Sequence, residues 1–297
     1  MKRVHDFGLD HYEKHVTQQL PIALTPAFQR ARGRIVISAT CARDGSDLLK
    51  ISRLKDLRQE GSYRSIFPRP QNGTLEAVII NTAGGVTGGD RFATTISARQ
   101  NARISVTTQA AERIYRATGS EPGHMKTNLS VAQDAQLFWL PQETILFEGC
   151  NLERSLDVDV HPSAKFLMLE PLVFGREASG EALRSGAIRD RVSITSDGCP
   201  IYLDRVQMDG DLATRLTHSA IAGGARAMAS LVLVDPAAKN LLSGCRARLP
   251  QLGGASMLVD NVLVIRLIAQ DSFALRKVLT PLLTLMTNNA VPKNWRL

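Results

Sequence analysis

A repeat in the middle of the chain constrains its fold more than any other feature. Ala102-Arg103-Ile104-Ser105-Val106, Ala135-Gln136-Leu137-Phe138-Trp139 and Ala164-Lys165-Phe166-Leu167-Met168 share one pattern, an alanine followed by apolar residues at alternate positions, and the alanines stand 33 and then 29 residues apart. Upstream of each lies another alternating run in the same register, so that Ile96 and Ala98 correspond to Leu129 and Val131, and these to Val158 and Val160. Alternation puts the apolar side chains on one face of a strand, and the residues just before each alanine are rich in the turn formers Asn, Asp, Gln, Pro and Ser. Each copy therefore reads as a β-hairpin with one apolar face. One ribbon cannot bury such a face, so successive copies must stack sheet on sheet around a shared core. A weaker fourth copy is expected at Val192 to Leu203, around the turn pair Asp197-Gly198.

The flanking regions fit round this centre. Residues 1–24 carry His5, His11 and His15 among charges without a helical or strand period, and read as a flexible arm. Residues 25–297 read as a single β-rich domain. Between Thr25 and Pro70 apolar residues come in short bursts that suit strands. Asp235-Pro236 signals a helix near 236–248, with Asp as N-cap and Pro in the first turn. Met257 to Val259 and Val262 to Leu267 form a hairpin around Asp260-Asn261. Leu275, Val278, Leu279, Leu282 and Met286 make one apolar stripe of a last helix near 272–287, kinked at Pro281. The fold class expected is mainly β: an elongated stack of antiparallel sheets or hairpins, sandwich-like or β-helix-like, with two α-helices in the C-terminal third.

Composition narrows the function classes. With 297 residues, 44% of them hydrophobic, there is ample material for a core. Thirty-six Lys and Arg against 28 Asp and Glu give a net charge of +8, which favours acidic partners. Cys41, Cys150, Cys199 and Cys245 include no CxxC pair, so a structural zinc site or a dense disulfide framework is not expected. The N-terminal residues lack an apolar core of signal-peptide type, and no stretch reaches the roughly 18 apolar residues of a membrane span; the expectation is a soluble cytoplasmic protein.

Several motifs invite chemistry. Asn81-Thr-Ala-Gly-Gly-Val-Thr-Gly-Gly-Asp90 suggests a phosphate loop, but no Gly-Lys-Ser/Thr follows, no GxGxxG register exists, and the next segment reads as a strand. Its glycines serve positive φ angles or close approach of backbone between layers, while Asp90 is placed by a rigid turn and could be functional. Glu112, Glu143, Glu148, Glu170 and Glu177 recur just after the repeats. If the copies stack, these segments emerge on one side and line a polar surface or channel; the alternative is ordinary solvated loops with Arg113 and Arg176 as partners. Their spacing identifies no acid and base, which leaves a carboxylate-dependent hydrolase weakly supported. His11 and His15 would share a face only if the arm became helical. There is no GxSxG elbow, HExxH helix or Ser-His-Asp order. Arg30 to Arg69 is strongly basic with few aromatics, so a basic nucleic-acid-binding module remains an alternative, and an acidic protein partner fits as well.

Five segments in order, NTAGGVTGGDRF (81–92), TTQAAERIYRA (107–117), WLPQETILFEG (139–149), FGREASGE (174–181) and the closing VIRLIA with its Leu-rich helix, resemble the urease accessory protein UreD family, called UreH in some systems. The resemblance implies a non-enzymatic urease maturation chaperone or scaffold. It would bind the urease apoprotein, recruit the helical accessory protein UreF and the GTPase UreG, and let nickel pass through its interior towards the urease site. It further implies no catalytic residue, no tightly bound cofactor beyond transient Ni2+, and neither nucleic acid nor membrane as partner. Imidazole clusters would trap divalent nickel, whereas separated carboxylates and waters let it leave. On that footing Asp90, Glu112, Glu143 and Glu177 are the expected transit groups, with partners docking on surfaces set by the C-terminal helix region.

Overall fold

The structure is a computed structural model that describes residues 29–43, 50–69, 72–176 and 180–296. The arm of residues 1–24, with its histidines, lies outside the described residues. Two sheets face each other. The first has seven strands: β1 (Arg32–Arg43), β2 (Lys50–Gly61), β5 (Arg91–Ala98), β8 (Gly123–Val131), β11 (Cys150–Val160), β13 (Gly186–Ser196) and β14 (Cys199–Gly210), in the order β14-β13-β11-β8-β5-β1-β2. The second runs β16 (Gly253–Val259), β17 (Val262–Ala269), β15 (Ala227–Val234), β12 (Lys165–Phe174), β9 (Gln136–Trp139), β6 (Arg103–Thr108), β4 (Leu75–Asn81) and β3 (Tyr63–Ile66). Short strands β7 (Glu112–Ile114) and β10 (Thr144–Leu146) extend it, β10 pairing parallel with both β7 and the end of β12. The expected class holds: the protein is mainly β, with a β-helix-like stack at its centre.

Within that stack the repeats pair differently from hairpins. The two arms of each copy lie in opposite sheets, and each arm pairs in parallel with the same arm of the next copy. Ile96 is beside Leu129 and Leu129 beside Val158; Ile104 is beside Leu137 and Leu137 beside Phe166. Positions matched in sequence are thus register neighbours in space. Each copy is an arch whose apolar faces meet across the core. Alternation cannot separate the two cases, because it fixes which face is apolar and not where the other arm sits. The corner decides. Ala102, Ala135 and Ala164 are buried there, and each donates its N–H to the carbonyl three residues back, on Arg99, Ala132 and His161. Asn101 and Asp134 occupy the corner at φ 60° and 55°, a left-handed conformation that Asn and Asp tolerate. The fourth copy is a true hairpin: β13 and β14 pair antiparallel across Asp197 and Gly198, at φ 49° and 73°, as a type I′ turn requires. The hairpin of β16 and β17 forms as expected.

A helical layer covers the outer face of the larger sheet. Along β12, Phe166, Met168 and Leu172 face the smaller sheet while Leu167, Leu169 and Val173 join a second core with the helices, so this strand reads as a continuous apolar run. The last helix, Ser272–Met286, begins at Asp271, whose carboxylate accepts the Ala274 N–H at 2.7 Å, and it buries Leu275, Leu279, Leu282, Leu283 and Met286. The helix expected over 236–248 is shorter, a 3-10 turn (Ala238–Leu241) running into Leu242–Arg246. Asp235 accepts from Ala237 N and Ala238 N and so closes a turn where an α-helical N-cap was expected. A third helix, Leu212–Thr217, is too short to show a period in sequence. No helix among the described residues is long and apolar enough to cross a membrane.

The corner alanines have no room to grow. Ala135→Leu is expected to lower the unfolding free energy by about 1–3 kcal/mol, against a change within about 0.5 kcal/mol for Ala132→Leu at the exposed position of the same corner, both read by urea denaturation.

Candidate functional site

Alternation predicts an apolar interior, and near the corners it is one. Further along the strands the inward positions turn polar, and a cavity of about 200 Å³ opens between the sheets. Thr94 of β5, Thr127 of β8 and Arg154 of β11 line it from the smaller sheet. Asn81 of β4, Trp139 of β9 and Glu170 of β12 line it from the larger one. Glu112, Gln142 and Thr144 contribute from the segments that follow the repeats. Emergence of these segments on one side, expected from the stacking, is what gathers them.

The Gly-Gly block is structural, and it positions one acid. A Cβ on Gly85 would stand 2.3 Å from the Tyr115 ring and 2.6 Å from the Arg113 carbonyl. Only glycine allows Val86 to pair with this stretch, its N–H donating to Arg113 O and its carbonyl accepting from Tyr115 N. The tight turn aims Asn81 Nδ2 at Glu112, 3.1 and 3.2 Å from the two carboxylate oxygens. Burial pushes the Glu112 carboxyl up to about 7, against the lowering effect of the Asn81 hydrogen bond and of Arg113.

Asp90 and Glu143, also expected as transit residues, sit elsewhere. Asp90 is buried and occupied by backbone: Oδ1 accepts Ala31 N–H at 2.8 Å and Oδ2 accepts Thr87 N–H at 2.9 Å. Glu143 is turned away from the cavity towards the last helix, where Arg276 Nη1 donates to it at 3.0 Å and to Gln142 Oε1 at 2.9 Å. Its carbonyl accepts the Glu112 N–H. Glu177 lies outside the described residues. No three His, Cys, Asp or Glu converge as a metal cluster among the described residues.

Two charged residues missing from that expected set, Arg154 and Glu170, line the cavity, and a third, Asp190, pairs with Arg154 from the adjacent strand. Arg154 donates from Nε and Nη2 to the two oxygens of Asp190, at 3.0 and 2.5 Å. Its Nη1 donates to Thr144 Oγ1 at 3.1 Å and lies 2.6 Å from Glu170 Oε2. Trp139 Nε1 donates to Glu170 Oε1 at 2.8 Å. Burial raises the Glu170 carboxyl, Arg154 opposes this, and Asp190 adds to it. The signal was present in the sequence. Leu152-x-Arg154-x-Leu156, Ile188-x-Asp190-x-Val192 and Met168-x-Glu170-x-Leu172 each carry one charge at an inward parity.

The family model described as UreD urease accessory protein matches residues 31–296. The chain belongs to the UreD family. It is 46% identical over 274 residues to Urease accessory protein UreD of Roseobacter denitrificans, covering 92% of this chain and 98% of that relative. Against the UreD of Ruegeria pomeroyi identity is 48% over 244 residues, covering 82% and 95%, and against that of Rhizobium rhizogenes 44% over 271 residues, covering 91% and 96%. The UreD match spans all the cavity-lining strands, so the cavity belongs to the matched region.

Glu112 makes the stability of this UreD chain pH-dependent. Its folded value near 7 exceeds the ordinary value of 4.5, so between those pH values the folded state holds a proton that the unfolded state has lost. Stability therefore falls as pH rises through that window, by about 3 kcal/mol at most. Glu112→Gln should leave stability unchanged near pH 4.5 and raise it by about 1–3 kcal/mol at pH 8, as urea denaturation at stepped pH would show. Arg154→Leu strands two carboxylates and should cost about 3–5 kcal/mol, most of it recovered when Glu170 and Asp190 are also replaced by Leu.

Proposed function

We propose that this chain is a scaffold for urease maturation that binds apo-urease, recruits the helical accessory protein UreF and the GTPase UreG, and passes nickel through its interior towards the urease site without chemistry of its own. Membership of the UreD family supports a role in urease maturation. The observation that carries the finer reading is the cavity between the sheets, walled by isolated oxygen donors. Divalent nickel binds imidazole and thiolate too firmly to move on, whereas single carboxylates, amides and hydroxyls with room for several waters hold it loosely. Among the described residues the cavity lining has Glu112, Glu170, Asn81, Gln109, Gln142, Ser155 and four threonines beside Arg113 and Arg154, and neither His nor Cys.

The three described transit carboxylates then divide by position. Glu112 is a transit ligand, because its oxygens face the cavity. Asp90 and Glu143 brace the walls through the bonds described above. Glu177 is retained as a transit group. A hydrolase is the less favoured reading because the two cavity carboxylates, Glu112 and Glu170, are held by different partners, Asn81 and Arg154.

The test is nickel content of urease purified from cells co-expressing the whole operon. Glu112→Ala and Glu177→Ala should each reduce nickel per active site at least severalfold while urease still co-purifies with the scaffold. Asp90→Ala should instead lose the scaffold itself. Full loading with both Glu112→Ala and Glu177→Ala, in intact complexes, would remove the passage.

A further inference from the structure

The outer face of the smaller sheet gathers positive charge in two adjacent rows. Arg32, Arg91, His124, Glu153 and Arg189 lie side by side across β1, β5, β8, β11 and β13. Two residues on, Arg34, Ala93, Lys126, Ser155, Arg191 and Arg205 do the same and reach β14. The residues between the rows, Phe92, Arg154 and Asp190 among them, are buried, so strand parity turns both rows outward. Six strands at their ordinary spacing make a belt about 24 Å long, and most of it lines an open depression of about 620 Å³. This belt is not arranged for stability. Arg32 neighbours Arg91 and Arg191 stands opposite Arg205, and like charges so placed repel. Arg91 is answered by Glu121 at 3.0 Å and Arg191 by Asp157 at 2.7 Å. Arg32, Arg34, Lys126, Arg189 and Arg205 have no ion pair among the described residues, and the rows themselves hold one carboxylate, Glu153.

We propose that this belt is the docking surface for an acidic protein face within the urease maturation assembly. The inference deepens the scaffold reading and rests on it. Carboxylates of the partner neutralise the unpaired cations and relieve the repulsion between Arg191 and Arg205, so the folded chain gains on binding what it lacks alone. A protein fits this surface better than a nucleic acid does. Neither row carries an aromatic side chain on which a base could stack. Glu153, in the middle of the belt, repels a phosphate backbone but can pair with a Lys or Arg of a protein surface. The depression also takes a convex partner, where a bilayer would meet it as a flat plane. Guanidinium groups on a rigid sheet suit carboxylates in particular, since each planar fork can hold both oxygens of one.

The test captures a tagged full-length chain from cells co-expressing the whole operon and measures each operon protein retained per scaffold. Lys126→Glu with Arg205→Glu should cut the yield of at least one of them roughly tenfold, and Lys126→Gln with Arg205→Gln should cut the same protein less. Arg103→Glu with Lys239→Glu makes an equal change of net charge at exposed positions away from the belt and should alter no yield. Arg205→Glu sets a carboxylate opposite Arg191, so the thermal midpoint should not fall. Should the double Glu variant fail to fold, the double Gln variant decides. Unchanged yields of every operon protein in a folded belt variant overturn the inference, as does an equal loss in the Arg103 and Lys239 control. Intact complexes with loss of binding to a DNA duplex or to phosphatidylglycerol vesicles also overturn it, and assign the belt to nucleic acid or membrane. Intact complexes whose nickel loading still depends on Glu112 sink the belt alone. Capture of no operon protein by the unsubstituted chain removes the scaffold reading and the belt with it.

Discussion

The parallel, in-register pairing of successive arches is the constraint on which the rest of the molecule depends. Because Ile96, Leu129 and Val158 are neighbours across three strands, every residue at the same offset from them is also a neighbour. Four residues back along the strands, Arg154 lies beside Met125 on one side and Asp190 on the other. A slip of one residue would turn the apolar set to solvent and the buried charges with it. The corners resist that slip. Three turns, each closed by an alanine N–H and linked to the next by backbone bonds such as Gln136 N to Ala102 O and Lys165 N to Ala135 O, fix where each arch begins. Polar residues can then be tolerated in the interior, since the register that places them is set elsewhere.

Much of this was legible in the sequence, and the remainder was hidden for physical reasons. The matched positions of the repeat became register neighbours because a stack of like units keeps like residues together. The hairpin reading missed the arch because strand parity carries no information about the partner strand. Glu112 was identified from its place after a repeat. Glu143 shares that place, but its side chain turns to Arg276 on the last helix, a contact 133 residues away that no local pattern announces. Asp90 was singled out as rigidly held, and it is; the rigidity consumes both its oxygens in backbone hydrogen bonds. Arg154 and Asp190 went unnoticed because charged residues are exposed far more often than buried, although their inward parity contradicted that expectation.

The C-terminal layer does more than cover apolar surface. Arg276 joins Gln142 and Glu143 to the last helix and stacks on Trp295 at 4.6 Å from its ring centroid. Trp295 Nε1 donates to the Leu140 carbonyl, and Asn294 Nδ2 to the carbonyls of Thr108 and Gln109. The two segments that carry cavity-lining groups from β6 and β9 are thus tied to residues at the far end of the chain. Segments of this kind, outside regular pairing, would otherwise be the least stable parts of a stacked sheet.

The interior silences its two cavity carboxylates by different means. Burial raises the Glu112 carboxyl to about 7, so it is part-protonated near neutral pH and its charge changes with pH. Glu170 faces a guanidinium that is charged at every accessible pH, so its compensation is independent of protons but strained by a second carboxylate. All four oxygens have a partner, Asn81 Nδ2 at both oxygens of Glu112, and Trp139 Nε1 and Arg154 Nη1 at those of Glu170.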